Sequence, residues 1–197
     1  MKKLIFATGN EGKMREIRMI LSDLPVEVIS MKEAGIRMDI VEDGNTFEEN
    51  AIIKARAVME RTHQMVLADD SGLEVDFLNK EPGIYSARYL GEDTPYAIKN
   101  QNILDRLKEA GPNQRTARFV CAAAVVYPDG RTQTCRGVME GVIGDKIAGE
   151  NGFGYDPIFY LPEYGCTTAQ LDPETKNAIS HRGKALRAIR KVIEHEL

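Results

Sequence analysis

The chain has 197 residues, of which 43% are hydrophobic and 28% are charged, and its formal net charge is −4. This length suits one domain, or two small lobes that share a sheet, and it leaves ample material for a hydrophobic core. The mildly acidic balance excludes a broad basic face for nucleic acid, although a local cluster of cations can still bind an anion.

Localisation and redox state are also restricted by simple sequence features. The longest apolar run, residues 119–127, is far shorter than the roughly 18 residues that a membrane helix needs. The N-terminus resembles the start of a signal peptide, but Thr8-Gly9-Asn10 interrupts the apolar run, so we expect a mature cytoplasmic protein. The three cysteines lack metal-ligand spacing, which is typical of reduced thiols and argues against a zinc site.

The chain begins with a predicted strand, turn and helix. Residues 3–7 have the composition of a buried strand, and residues 13–21 have the apolar spacing of one helix face. Between them lies the glycine-containing segment Thr8-Gly9-Asn10-Glu11-Gly12-Lys13. A helix that starts after such a turn directs free amide groups to one point, and Lys13 adds a positive charge there, which suits a phosphate. The spacing is not that of a Walker A loop, so an ordinary strand-to-helix turn is the alternative.

A capping box marks the start of the second helix. Residues 26–30 predict a second strand, and a polar loop that contains Glu42 follows it. Thr46 then has the position of an N-cap residue, with Glu49 at the third helical position, and the helical pattern continues to Thr62. Glu42 stands before this helix without an evident structural task, so it is either a solvated charge or a metal ligand.

The next apolar run, residues 65–68, delivers two carboxylates, a hydroxyl and a glycine to one point: Asp69, Asp70, Ser71 and Gly72. The run predicts a short buried strand that stops where Gly72 allows a turn. Because adjacent side chains on an extended backbone point to opposite faces, we expect Asp69 and Asp70 to differ in environment. The alternative is an Asp-Ser-Gly turn whose carboxylates only cap backbone amides.

The middle of the chain predicts a helix followed by a hairpin. Thr94-Pro95 indicates a helix with proline at its first position, and Gly111-Pro112 ends it. Residues 118–127 and 131–143 predict a β-hairpin around a glycine-containing turn. The first strand of this hairpin is almost continuously apolar, so we expect it to lie centrally in the sheet.

The C-terminal part holds the remaining polar candidates. The glycine-rich loop 149–157 carries Phe153 and Tyr155, whose rings either stack on a base or anchor the loop to the core. A short predicted helix contains Lys176, and His181-Arg182 lies at the start of a last amphipathic helix. A lone histidine is more often structural than ligand-binding, so His181 gains weight only in combination with other residues.

Taken together, these motifs resemble the RdgB-type inosine triphosphate pyrophosphatase family. The resemblance covers the chain from the first strand to the last helix and includes Pro82-Gly83-Ile84-Tyr85-Ser86-Ala87-Arg88. It implies a homodimeric α/β protein of elongated shape, with two lobes of one domain, residues 1–197, around a long mixed sheet and a central active-site cleft. It also implies hydrolysis of ITP, dITP, XTP and dXTP to the monophosphate and pyrophosphate with Mg²⁺, and no nucleic-acid or membrane partner.

The resemblance further implies a role for each motif residue. Asp70 would accept a proton from the attacking water, and Glu42 and Asp70 would bind Mg²⁺, which usually takes one or two carboxylates plus substrate phosphates. The triphosphate would be held by Thr8, Gly9, Asn10, Glu11, Gly12 and Lys13. The rest of the nucleotide would be contacted by Ser71, Phe153, Gly154, Tyr155, Asp156, Lys176, His181 and Arg182.

Base selection is expected at the 6-position of the purine. Arg182 carries only hydrogen-bond donors. In a dry pocket it would therefore donate to a 6-keto oxygen and disfavour the 6-amino group of adenine, which is itself a donor. Two alternatives to this function stay open: a septum-type nucleotide pyrophosphatase with a different base preference, and a nucleotide-binding regulator without turnover.

Overall fold

The computed structural model describes residues 1–197 and contains five α-helices and an eight-stranded mixed sheet, which confirms the predicted α/β class. The helices are α1 (Glu11–Ile20), α2 (Phe47–Thr62), α3 (Tyr96–Arg106), α4 (Pro173–Ile179) and α5 (His181–Glu194). The strands are β1 (Lys2–Phe6), β2 (Val26–Ser30), β3 (Met65–Val75), β4 (Glu81–Pro82), β5 (Thr116–Val126), β6 (Thr132–Ile143), β7 (Phe159–Leu161) and β8 (Cys166–Thr167). None of the helices is long and apolar enough to cross a membrane.

The strands follow the order β2-β1-β3-β5-β6-β7-β8, and β4 pairs with β3 outside this path. β1 runs parallel to β2 and β3, whereas the pairs β3–β4, β6–β7 and β7–β8 are antiparallel. The consecutive strands β5 and β6 are neighbours, as the predicted hairpin requires. β5 has three strands of the path on each side, which confirms its central position and explains its continuous apolar run.

The chain divides into two compact units. The first unit comprises residues 1–70, 121–137 and 182–197, and the second unit comprises residues 71–120 and 138–181. The chain passes from one unit to the other within β3, β5 and β6, so these strands contribute to both, and it passes again after the first residue of α5. The expectation of one domain with a central active-site cleft stays a prediction.

In the first unit, helices cover both faces of the sheet. Phe6 of β1 packs in one buried cluster with Ile17 of α1 and Leu186 of α5. Its neighbour Ile5 belongs to a second cluster that contains Val58 of α2. Because successive side chains of a strand point to opposite faces, α1 and α5 cover one face of the sheet and α2 covers the other.

The second unit has a hydrophobic core of its own. Leu73 of β3 packs there with Ile103 of α3, and the rings of Phe119 and Phe159 lie 4.3 Å apart between centroids. Tyr155 from the glycine-rich loop belongs to the same cluster. This core therefore joins helix α3 and the loop to the distal half of β3.

The structure corrects the predicted end of the third strand. β3 does not stop before Gly72 but continues to Val75, so Asp69 and Asp70 lie inside a strand rather than at a turn. The backbone beyond Gly72 stays extended because its polar groups find partners: Ser86 Oγ accepts the Leu73 amide at 2.9 Å, and β4 pairs with the strand end.

Two helix N-termini differ in one detail each from the prediction. Pro95 is the N-cap of α3, with a ψ of 140°, rather than its first helical residue. Thr46 caps α2 as predicted, since its hydroxyl accepts the Glu49 amide at 3.1 Å. The carboxylate of Glu49 accepts the amide of Asn45, at 2.6 Å, instead of that of Thr46.

Candidate active site

Asp69 and Asp70 lie on opposite faces of β3. Leu67 of this strand packs on the face covered by α1 and α5, and Ala68 packs on the face covered by α2. The alternation continues along the strand, so Asp69 is directed to the α1 and α5 face and Asp70 to the α2 face. The predicted difference in environment is confirmed, because Asp69 is 1% exposed whereas Asp70 is only partly buried.

Asp69 is the shared anion of a buried ion network. Lys13 Nζ donates to its two carboxylate oxygens at 3.0 and 2.9 Å, and Arg182 Nε lies 3.4 Å from Oδ2. The Cys121 thiol donates to the same Oδ2 over 3.9 Å. Burial would raise the pKa of Asp69, but the charges of Lys13, Arg182 and Lys54 outweigh it and hold the pKa well below its usual range. Asp69 therefore positions cations and is a poor proton acceptor.

Asp70 has the properties of a general base. Burial is the main cause that raises its pKa to about 6; the charge of Lys54 offsets part of this effect, and that of Glu42 adds to it. Its Oδ2 is buried and has no hydrogen-bond partner. A carboxylate with an unengaged oxygen and a pKa close to neutral can take a proton from water and release it again.

Lys54 contacts both Glu42 and the backbone of Asp69. It was not identified as a site residue from the sequence. Its Nζ lies 3.0 Å from Glu42 Oε1 and donates to the backbone carbonyl of Asp69. Burial would lower the pKa of Lys54, but the surrounding carboxylates Asp69 and Glu42 raise it, so the ammonium stays charged. A sequence signal existed, because Lys54 lies in the stripe of α2 that Ala51 and Ala55 occupy with small apolar side chains.

Glu42 and Asp70 could hold a divalent cation. Asp70 Oδ2 is buried without a hydrogen-bond partner, and the buried Glu42 Oε1 faces the Lys54 ammonium at 3.0 Å. Carboxylate oxygens are the ligands that Mg²⁺ prefers. No group of three or more acidic, histidine or cysteine side chains is arranged as a metal site. Two carboxylates match a cation that shares its coordination with water and substrate phosphates rather than one held by protein alone.

The start of α1 presents backbone donors to solvent. Asn10 is the N-cap, and its Oδ1 accepts the Lys13 amide at 3.0 Å. Thr8 Oγ1 accepts the Asn10 amide at 3.1 Å, which shapes the turn, while the amides of Glu11 and Gly12 have no protein partner. An exposed helix N-terminus with free amides and a nearby ammonium is an anion-binding arrangement.

In the second unit, the segment 152–156 forms a structured loop, which we call the base loop. Phe153 is 56% exposed, whereas Tyr155 is 5% exposed and donates its hydroxyl to the Ser86 carbonyl at 2.5 Å. The two predicted roles, anchoring the loop to the core and stacking on a base, therefore fall to different rings. Tyr155 anchors the loop to the core, and the ring of Phe153 is the one that can stack on a base.

The carboxylate of Asp156 holds the base loop through hydrogen bonds and an ion pair. Its Oδ2 accepts the Phe153 amide at 2.9 Å and pairs with Lys176 Nζ, and Thr168 donates its hydroxyl to Oδ1 at 2.8 Å. Gly152 makes this possible, because a Cβ at its position would lie 2.2 Å from Asp156 Oδ2. Asp156 and Lys176 are thus a buried pair that supports Phe153, whose ring lies 5.2 Å from the ammonium.

His181 and Arg182 are both buried at the start of α5. Arg182 is 8% exposed, and in the first unit it pairs with Asp69 and lies 4.0 Å from Glu16. In the second unit, the ring of His181 stacks on Phe119 with the centroids 4.9 Å apart. These contacts give both residues structural tasks, and their expected contacts with the purine stay predictions.

The structure therefore brings the candidates together in two sets. The first unit holds the helix start of α1, the network around Asp69, and the group of Glu42, Lys54 and Asp70. The second unit holds the base loop with Lys176. The contact of the half-buried Ser71 with substrate stays a prediction.

The chain is similar to known proteins over nearly its whole length. The sequence model of the Ham1 family matches residues 4–192. A dITP/XTP pyrophosphatase of Desulforamulus reducens is 48% identical, covering 97% of this chain and 95% of the relative, and one of Bacillus subtilis is 47% identical, covering 98% of both. The structure of the Staphylococcus aureus Ham1 protein superimposes with a TM-score of 0.91 at 43% identity over 100% of both chains. A Ham1 protein from Coxiella burnetii gives a TM-score of 0.93 at 43% identity, covering 99% of this chain and 100% of the other.

Proposed function

This chain belongs to the Ham1 family, and we propose that it is a nucleoside-triphosphate pyrophosphohydrolase. It hydrolyses non-standard purine nucleotides, dITP, ITP, XTP and dXTP, to the monophosphate and pyrophosphate and thereby cleanses the nucleotide pool. The names of the relatives, dITP/XTP pyrophosphatase, support this substrate class. The observation that carries the proposal is Asp70, a carboxyl group with a pKa of about 6 and an unengaged oxygen, placed beside Glu42 and Lys54.

The triphosphate binds at the start of α1 in this proposal. The free amides of Glu11 and Gly12 supply directed donors, and the exposed segment from Gly9 to Gly12 leaves room for phosphate oxygens. Lys13 adds a positive charge whose position is fixed by Asp69. Since Asp69 holds the ammonium before the substrate arrives, Lys13 needs little reorganisation on binding.

Glu42 and Asp70 hold the Mg²⁺ that the family resemblance implies. A cation bound there would neutralise charge on the phosphates and stabilise the charge that develops in the transition state. Lys54 lies beside the same carboxylates and offsets their mutual repulsion. Lys54 therefore offsets only part of the charge of Glu42 and Asp70, and the remaining negative charge favours a bound cation.

Asp70 receives the proton of the attacking water. Its pKa of about 6 leaves it mostly ionised at neutral pH yet basic enough to accept a proton. Asp69, directly before it in the chain, is stabilised as an anion by Lys13 and Arg182 and does not compete for this role. The division of labour between the adjacent carboxylates follows from the two faces of β3.

The purine is recognised by the base loop, with Phe153 stacking on the ring system. Asp156 and Lys176 hold the loop backbone, so their contribution to base binding includes the placement of Phe153. The resemblance adds Arg182 as the donor to a 6-keto group. Such a donor favours hypoxanthine and xanthine over adenine, which carries an amino donor at that position.

Product analysis across a panel of triphosphates is the direct test. With Mg²⁺, we expect pyrophosphate and the monophosphate from ITP, dITP and XTP, far slower reaction of ATP, and loss of activity on chelation of the metal. Binding without turnover would favour the regulator, and a preference for other bases would favour the septum-type enzyme. Orthophosphate as the first product would exclude a pyrophosphatase altogether.

Replacing Lys13 with alanine should weaken substrate binding more than turnover. A point charge on the phosphates acts in the ground state and in the transition state alike, so KM for ITP should rise about 10–100-fold with a small change in kcat. Steady-state kinetics measures both constants, and Lys108→Ala, at an exposed lysine, is the control. A large loss of kcat at unchanged KM would contradict phosphate binding by Lys13.

The proposal also includes a cytoplasmic homodimer without nucleic-acid or membrane partners, as the resemblance implies. Light scattering across a concentration series tests the dimer, and a mass of 22.0 kDa at all concentrations would identify a monomer.

A further inference from the structure

Helix α3 contacts the base loop at two consecutive residues. Asn100 Nδ2 donates to the carbonyl oxygen of Gly154 at 3.1 Å. The ring of Tyr96 packs edge-on against that of Tyr155, with the centroids 5.3 Å apart. Tyr96 and Asn100 are four residues apart, so they are neighbours on one face of the helix.

The side chain of Asn100 is not explained by packing. It is 2% exposed, and its Oδ1 is buried without a hydrogen-bond partner. A buried acceptor of this kind is destabilising, and an apolar side chain of similar size would avoid it. The only polar contact that the carboxamide makes is the one to Gly154, so the donor is the reason for an asparagine at this position.

Gly154 is a residue that needs such a restraint. Its φ of +64° lies in the left-handed region, and a glycine populates positive and negative φ with similar ease. A bond from a rigid helix to its carbonyl oxygen selects one of these conformations. The backbone direction on the C-terminal side of Phe153 is thereby set by α3.

The residues on either side of Gly154 are held by hydrogen bonds to other residues. On one side, the Phe153 amide donates to Asp156 Oδ2 at 2.9 Å. On the other side, the Tyr155 hydroxyl donates to the Ser86 carbonyl. Gly154 itself is held by Asn100, so this side chain completes the support of the backbone that carries the Phe153 ring.

We propose that Asn100 is a positioning residue for base recognition, acting through the Gly154 carbonyl on the placement of Phe153. This inference rests on the proposed function, in which the base loop contacts the purine. Asn100 and the base loop belong to the second unit, whereas the phosphate and metal candidates Lys13, Glu42 and Asp70 belong to the first. The role therefore concerns substrate binding rather than the chemical step.

Two substitutions of Asn100 separate the donor from the space it fills. Asn100→Ala removes the donor and should raise KM for ITP about 3–10-fold, the effect of one hydrogen bond, with kcat within about twofold of the wild-type value. Asn100→Asp keeps the shape but turns an acceptor toward the Gly154 carbonyl, so KM should rise further than with alanine. An Asn100→Asp enzyme with the wild-type KM would overturn the proposal.

A matched core substitution shows whether a structural defect alone gives this result. Ile103→Val lies on the same helix, at a fully buried position of the second core, and makes no polar contact with the base loop. It should lower the melting temperature and leave KM unchanged. If both variants lose similar melting temperature and show equal increases of KM, the effect of Asn100→Ala comes from lost stability and Asn100 has only a structural role.

Deuterium uptake of residues 152–156, measured by mass spectrometry, tests the same role without activity. We expect faster exchange in Asn100→Ala and unchanged exchange in Ile103→Val; unchanged exchange in both would overturn the positioning role. Phe153→Ala separates the two proposals. If Phe153→Ala raises KM and Asn100→Asp does not, the positioning role fails and the proposed function stands. If the wild-type protein releases no pyrophosphate from ITP, the proposed function itself fails.

Discussion

Replacing Asp70 with asparagine is expected to lower kcat for ITP hydrolysis by about 10²–10⁴-fold, the usual contribution of a general base, while nucleotide binding is retained. Asparagine keeps the shape of the side chain but cannot take a proton from water. The loss will be larger if the substitution also disturbs the Mg²⁺ that we propose Asp70 and Glu42 to hold. Steady-state release of pyrophosphate gives kcat, and calorimetry gives the affinity. A variant with the wild-type kcat would show that another group is the base.

The same substitution should make the metal-free protein more stable. The pKa of Asp70 is about 6 in the folded protein and 3.8 in the ordinary reference state, so between these values the native state holds a proton that the unfolded chain has released. Stability therefore falls as the pH rises through this window, and above it the buried charge costs about 1–3 kcal/mol. In Asp70→Asn this cost disappears.

Urea denaturation in the presence of a chelator measures this effect. We expect the free energy of unfolding of Asp70→Asn to exceed that of the wild type at pH 7.5. The difference should vanish below about pH 3, where Asp70 is protonated in both the folded and the unfolded wild type. A variant that is less stable than the wild type at pH 7.5 would mean that Asp70 is stabilised as an anion in the native protein.

Asp69→Asn should have the opposite effect on stability. It removes the anion that Lys13 and Arg182 share, and breaking a buried pair while its cations stay in place costs about 3–5 kcal/mol. We expect the chemical step to suffer less than in Asp70→Asn, and KM to rise because Lys13 loses the carboxylate that orients it. Urea denaturation and steady-state kinetics of the two variants test both parts.

The pH dependence of this loss follows from the lowered pKa of Asp69. A carboxyl group whose folded-state pKa lies below its unfolded value of 3.8 contributes stability above that value and loses it as the pH falls toward the folded pKa. The gap between wild type and Asp69→Asn should therefore be constant at neutral pH and narrow in acid. Asp105→Asn, at an exposed carboxylate, is the control and should change stability by less than about 0.5 kcal/mol. If Asp69→Asn lowers the free energy of unfolding no more than Asp105→Asn does, the ion network around Asp69 does not stabilise the protein.

Much of the secondary structure and one feature of the site were determined by the sequence alone. Residues 26–30 form β2 with the predicted bounds, and Thr46 caps α2 as predicted, because apolar spacing and capping depend on neighbouring residues. The period of two along a strand also determined that Asp69 and Asp70 would differ. That inference holds although the strand continues through Gly72, because it requires only an extended backbone.

The difference in pKa that makes Asp70 the candidate base was decided by the tertiary structure. The sequence contains no information about the helices that cover each face of β3. Those helices bring Lys13 and Arg182 to Asp69 and Lys54 to the side of Asp70, where the loop before α2 adds Glu42. A pKa depends on burial and on charges within a few ångströms, and here these groups come from distant parts of the chain. The same reason explains why Lys54 and Asn100 were identified only in the folded protein. Their contacts join residues that are 12 or more positions apart in the sequence, which no local pattern specifies.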